Sequence, residues 1–254
     1  MRRVLAALMI LLASPAAWSQ TAEPLHVATG GFRPVAYLQD GHLTGALVDV
    51  LTEAGRRAGF PVEIHLLPWA RSMEETRSGR MDAIFPSFRT PQREFYFSFP
   101  EEVLVTETMG WFYKAGSRVP RLGNDPHRAL GYKIGVVNRT SMGPKLDSFL
   151  QGNPAPITEA VNDTASAVRL LAGGRVDLIA GFDQGIWAEA RQNNMQDEIR
   201  ELSPLIEEVP AYLAFTRAHD MDAESQAIDR ALRSMKEDGT YARILAGYFV
   251  TKPQ

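Results

Sequence analysis

The sequence predicts an α/β protein of two related lobes, and three observations carry that expectation. The first third of the chain alternates strand-like and helix-like segments. The phrase Gly79-Arg80-Met81-Asp82-Ala83-Ile84 returns as Gly174-Arg175-Val176-Asp177-Leu178-Ile179, with four of six positions identical and a helix-like stretch before each copy. Two extended runs, 103–113 and 209–216, stand where the chain would leave the first lobe and return to it. At 254 residues the chain is long enough for two lobes of modest size.

The elements follow in order. Residues 25–29 read as the first strand, and Gly30-Gly31-Phe32-Arg33-Pro34 as the loop at its carboxyl end. Gln39-Asp40-Gly41-His42 is a turn built on Asp-Gly. Residues 47–58 have helical spacing, with Leu47, Val50, Leu51 and Ala54 on one face and Gly59 ending the helix. A strand at 62–66, a short solvated helix at 72–78 and a buried strand at 81–85 complete the first unit, whose sheet should be largely parallel. Residues 114–124 carry Gly, Ser, Pro and charge, and mark a boundary. The second lobe opens with a strand at 133–137, then the loop Asn138-Arg139-Thr140-Ser141, a helix at 165–172 and the second copy of the phrase. Phe182-Asp183 is placed in the loop after that strand, and a helix in 186–193. An amphipathic helix at 223–236 presents Ile228, Leu232 and Met235, Asp238-Gly239-Thr240 breaks it, and 241–249 is the last helix. The expected division is therefore 1–19 as a leader, 20–114 plus 214–254 as lobe 1, and 115–213 as lobe 2.

Composition narrows the function. Hydrophobic residues make up 45% and charged residues 22%, ordinary for a globular chain, and the net charge of -3 becomes -5 without Arg2 and Arg3. Neither value suits a nucleic-acid surface. Residues 1–19 read as a cleavable secretory signal: a basic start, an apolar run at 4–12 too short to span a bilayer, and Ala17-Trp18-Ser19 before a cut ahead of Gln20. The chain has no cysteine, which removes a lipid-modified Cys, a disulfide, a thiolate nucleophile and any Cys-ligated metal. The five histidines, His26, His42, His65, His127 and His219, show no metal-ligand spacing, so no metal or cofactor is expected.

Strung together, Leu43-Thr44-Gly45 with Val48-Asp49-Val50, Trp69 with Arg71, the Gly79 phrase, Thr90-Pro91-Gln92-Arg93, Gly135-Val136-Val137 with Thr140, and Asp238-Gly239-Thr240 with Ile244 resemble the bacterial extracellular solute-binding proteins of family 3 over nearly the whole mature chain. That resemblance implies a periplasmic-binding-protein-like fold: two α/β lobes joined by two crossover strands, with a ligand cleft between them. It implies a soluble periplasmic monomer, not lipid-anchored, that takes a small amino acid or related carboxylate and delivers it to the membrane permease of an ABC transporter. Its carboxylate clamp maps onto Arg93, its stacking aromatic onto Trp69, its first-loop aromatic onto Phe32 (with Tyr37 as competitor) and its second-lobe hydroxyl onto Thr140.

Three departures bear on the ligand. The hydroxyl beside the clamp has no clear counterpart, with Ser87 and Arg89 standing near its place. Arg139 replaces the usual Gly before Thr140. The acid for the ligand's ammonium should fall at or next to Phe182, and Asp183 is one position late. An arginine-rich site of that kind would suit an acidic ligand lacking an amine. Two further readings stand beside the receptor: a periplasmic cyclohexadienyl dehydratase-like enzyme with an acidic residue as general acid, and a ligand-sensing partner without a transport role.

Overall fold

The computed structural model describes residues 23–138 and 140–249; the leader expected at 1–19 and Arg139 lie outside them. Twelve strands and eight α-helices are present among the described residues. One sheet runs through the molecule in the order β4(Val62–Leu66), β1(Leu25–Thr29), β5(Ala83–Phe88), β12(Glu207–Thr216), β7(Val105–Lys114), β10(Leu178–Phe182), β8(Lys133–Val137), β9(Ile157–Val161). Its two outer trios are each parallel: β1 pairs with β4 and β5, and β8 pairs with β9 and β10. The two central strands are antiparallel to each other and to their outer neighbours. A two-stranded hairpin of β2(Tyr37–Gln39) and β3(His42–Thr44) turns through Asp40 and Gly41, both at positive φ, as the Asp-Gly pair requires.

The two halves repeat one connection. In the first, α1(Ala46–Ala58) links β1 through the hairpin to β4, and α2(Trp69–Arg77) links β4 to β5. In the second, α4(Pro144–Leu150) and α5(Thr164–Ala172) do the same for β8, β9 and β10. The repeated phrase occupies the same place in both. Gly79 and Gly174 close α2 and α5 at positive φ. Asp82 then brackets the start of β1, accepting from His26 N at 2.7 Å while its own N–H donates to His26 O at 2.8 Å. Asp177 brackets Lys133 at the start of β8 with the same two distances.

Each half has its own core. Leu47, Val50, Leu51 and Ala54 of α1 are fully buried, as the helical spacing predicts, against Leu25, Val27 and Phe85 of the sheet and Ile228, Leu232 and Met235 of α7(Asp222–Glu237). Each such aliphatic side chain contributes about 1.5–3 kcal/mol. The second half buries Met109, Trp111, Ile134 and Phe149 on one sheet face and Phe112, Val168, Ile179 and Trp187 on the other. β7 and β12 pass between the cores: Val105 belongs to the first and Met109 to the second, Val209 to the second and Ala211 to the first. The fold is two-lobed α/β.

Several boundaries differ from the sequence expectation. β5 starts after Asp82 and continues to Phe88, through Pro86. Proline is tolerated there because β1 pairs only as far as Phe85 and β12 shifts register between Tyr212 and Ala214, so no ladder bond is lost at its missing N–H. Trp69 is the first residue of α2 and Arg93 the third of the short α3(Pro91–Glu94), so neither lies in an open loop. α6(Asp183–Gln192) starts at Asp183, directly from the end of β10, where a loop was expected.

Candidate functional site

A cleft of about 750 Å³ opens between the lobes, at the carboxyl ends of the parallel strands. The β1 loop, the start of α2 and α3 form one wall. The loop after β8 and the starts of α5 and α6 form the other, and residues Val105, Thr106, Glu107 and Thr108 of β7 form the floor.

The first wall is built by backbone packing. Gly45 precedes α1 at φ 140°, where a Cβ would run into the Val35 carbonyl. That close approach lets Ala46 N and Leu47 N donate to Pro34 O and Val35 O, at 2.9 and 3.1 Å, and so anchors the loop that carries Phe32. The Phe32 and Trp69 rings meet edge to face with centroids 5.6 Å apart, and both line the cleft. Ser72 Oγ donates to Thr29 O at 3.1 Å, which fixes α2, and hence Trp69, to the end of β1. Thr90 caps α3 by accepting from Arg93 N at 3.3 Å. The cap turns the Arg93 side chain back over Phe88 O and Ser87 Oγ, at 3.2 and 3.4 Å, with its guanidinium 5.9 Å from the Trp69 ring centre. Burial lowers the Arg93 pKa from its ordinary value, opposed by the charge of Asp147 on the other lobe.

Ser87 is fully buried and reaches Arg93 rather than the cleft space. Arg89 turns to solvent and pairs with Glu94 at 2.5 Å, outside the cleft lining. Tyr37 is stacked under Arg33, 3.8 Å from its ring centre, leaving Phe32 as the first-loop aromatic in the cleft. Arg71 faces water and pairs with Glu75 at 3.4 Å. Arg139 falls outside the described residues.

The second wall is acidic. Thr140 lines the cleft, and its loop is held by Asp147, which accepts from Ser141 Oγ at 2.5 Å and Met142 N at 2.9 Å. Asp183, only 5% exposed, opens α6 with its carboxylate at the helix N-terminus, accepting from Gln184 N at 2.5 Å. Glu189, one helical turn and a half further on, lies 3.7 Å from Arg33 across the cleft. Burial pushes its carboxyl up, and Arg33 opposes the shift. On the floor, Glu107 is two residues from Met109, the partner of Phe182 in the sheet, so it stands just beyond the strand end that leads into Asp183. Burial first, and the Asp183 charge second, push the Glu107 carboxyl up to about 8. Reading the sequence missed Glu107, because one acid in a Val/Thr-rich run reads as the outward face of a strand.

The sequence pattern of the bacterial extracellular solute-binding proteins, family 3, matches residues 25–251. The chain belongs to that family. Among curated relatives it is 23% identical to the probable amino-acid-binding protein YxeM of Bacillus subtilis (strain 168), over 89% of this chain and 83% of that one. Among solved structures it is similar to a histidine kinase sensor domain with similarity to periplasmic binding proteins, at TM-score 0.74 and 21% identity over 90% of this chain and 97% of that one. An ancestral amino-acid-binding protein described as a precursor of cyclohexadienyl dehydratase matches at TM-score 0.73 and 17% identity, over 89% and 94% of the two chains. Likeness at that level establishes the two-lobed fold. The family members are solute-binding proteins, and four of the residues that the family resemblance singles out, Phe32, Trp69, Arg93 and Thr140, line this one cleft together with Asp183. Among the described residues no helix is long and apolar enough to cross a membrane.

Proposed function

We propose that this chain is a periplasmic receptor for a small zwitterionic solute of the amino-acid class, closing two lobes on it and handing it to the permease of an ABC importer. The observation that supports this reading is the opposition of charge across the cleft: Arg93 on one wall and Asp183 on the other, with the Glu107 carboxyl on the floor beside Asp183. A carboxylate at Arg93 gains charge-assisted hydrogen bonds, and an ammonium at Asp183 is met by a buried acid. The aromatic pair of Phe32 and Trp69 receives the ligand's apolar face. YxeM is described as a probable amino-acid-binding protein, which agrees with a ligand that carries both charges. With Arg89 turned away, the arginine-rich site for an acid without an amine is the weaker reading.

In this proposal lobe 1 comprises 20–114 plus 214–254 and lobe 2 comprises 115–213, with bending where β7 and β12 pass between the cores. The receptor is a monomer, exported by a cleaved signal at 1–19, with neither a lipid anchor nor a nucleic-acid partner. Thermal-shift titration of the purified protein tests the ligand class. A ligand at 100 times its Kd stabilises the fold by about 2.7 kcal/mol. L-amino acids should do so and the same acids lacking the amine should not. Stabilisation by dicarboxylates or simple acids alone would overturn the zwitterion reading.

A second reading has one observation in its favour. A carboxyl with a pKa of about 8 on the cleft floor is protonated at neutral pH and could act as a general acid toward a leaving hydroxyl. The cyclohexadienyl dehydratase-like alternative therefore centres on Glu107, and prephenate turnover that vanishes in Glu107→Gln would establish it. A ligand-sensing role would use the same closure with a different partner.

A further inference from the structure

The sheet of lobe 1 brings together three side chains that lie far apart in sequence. Glu63 and His65 stand two residues apart on the edge strand β4 and so project from the same face. His26 on β1 is the direct partner of Glu63 in the parallel register. His26 Nδ1 lies 3.3 Å from His65 Nε2 and 3.5 Å from Glu63 Oε2, and the three ligand atoms all fall within 4.8 Å of one another. None of the three lines the cleft.

We propose that His26, Glu63 and His65 form a binding site for a divalent transition-metal ion, Zn(II) or Cu(II), on the outer part of lobe 1. Both distances from His26 match a coordination shell. Metal–nitrogen bonds of about 2.0–2.1 Å in a tetrahedron place neighbouring ligand atoms about 3.3–3.4 Å apart, against the 3.3 and 3.5 Å measured here. Two imidazole nitrogens facing each other at 3.3 Å must share a proton or a cation, because two lone pairs at that distance repel. Two imidazoles and a carboxylate suit zinc and copper by ligand type and leave a fourth position for water. The ligands are also partly preorganised. The His26 backbone is gripped by Asp82 Oδ2 at 2.7 Å, and the other oxygen of that carboxylate meets His219 Nε2 at 3.1 Å. A bound ion would cross-link the edge strand to β1, the strand that carries the Phe32 loop at its far end.

Calorimetric titration of the purified protein, free of any polyhistidine tag, with Zn(II) and with Cu(II) tests the site. One ion per chain is expected. His65→Ala and His26→Ala should each weaken binding by more than about 100-fold, beyond the 10–100-fold typical for loss of an outer-shell partner, and Glu63→Gln by about 10-fold. His42→Ala should leave binding unchanged. Because a strand substitution can disturb folding, His65→Gln with its melting curve is the parallel variant, and Cu(II) electron paramagnetic resonance should show two imidazole nitrogens. Binding no tighter than in the His26→Ala/His65→Ala double variant overturns the proposal, as does an equal loss in His42→Ala.

Discussion

Lobe 1 and lobe 2 share a framework and differ in what they hang on it. In both, a helix closes on a left-handed glycine, an aspartate brackets the first residue or two of a neighbouring strand, and a buried strand runs to the cleft. The strands then end differently. β5 gives way to the capped turn of α3, which folds Arg93 back into the cleft. β10 passes straight into α6, which delivers Asp183 at a helix start. One scaffold therefore supplies a cation from one side and an anion from the other, and the difference lies in a few residues beyond the repeated phrase.

The largest expected effect breaks the first wall. Arg93→Ala should weaken ligand binding by about 2–5 kcal/mol, the cost of removing one partner of a buried charge pair, while the melting curve of the ligand-free protein stays two-state. Affinity within threefold of wild type would remove Arg93 from the site. The matching change on the second wall is Asp183→Asn, which keeps size and loses charge. Calorimetry should show a loss of about 1.5–3 kcal/mol for a ligand with an ammonium, the range of a hydrogen bond to a charged group. Equal affinity for a ligand with and without its amine in wild type would make the two walls chemically alike, against this account.

The shared framework is tested by Asp82→Ala and Asp177→Ala. Each removes a carboxylate hydrogen bond to a strand N–H, at a cost of about 0.5–1.5 kcal/mol, which in a chain of this size lowers Tm by about 2–4 °C per kcal/mol. Similar losses support one duplicated bracket; an unchanged Tm for either would mean that the geometry is shared and its energetic role is not. The smallest effect comes from Glu107. Its folded pKa of about 8 stands above the ordinary 4.5, so the folded protein holds a proton there that the unfolded chain has released. The group's contribution to stability is present below about pH 4.5 and is lost as pH rises through 8. A ligand ammonium beside it favours the ionised form, so binding at pH 7 should release a proton, and affinity should rise with pH by at most about 1.4 kcal/mol per unit. Calorimetry in buffers of different ionisation enthalpy measures that release, which Glu107→Gln should abolish.

Much of the framework was legible because it depends on local pattern. β1, β4 and β8 fall where their apolar runs place them, and α1 differs from its periodic stretch by one residue. The site was legible in part. Arg93 and Thr90 stand in one short phrase whose cap geometry follows from residue type. Ser87 was not assignable, because Pro86 reads as a strand end, whereas the strand continues past it in a gap of its ladder. Asp183 was misplaced because no capping side chain precedes α6; Phe182 occupies the cap position without a side-chain bond. Glu107 and the His26, Glu63, His65 group arise only when distant strands pair, and chain spacing carries no trace of either.

The way the chain threads its two cores sets the order in which they can be completed. All the buried residues of the second core lie in one uninterrupted stretch from Met109 to Val209. The first core, by contrast, waits for Ile228, Leu232 and Met235 before Leu47 and Leu51 are covered, and for Tyr248 before its hydroxyl can reach Asp49 at 2.6 Å. During synthesis, the half that emerges first is therefore the half that finishes last. A chain truncated between β12 and α7 would carry an intact second half and an amino-terminal half left with its apolar face open to chaperones and proteases.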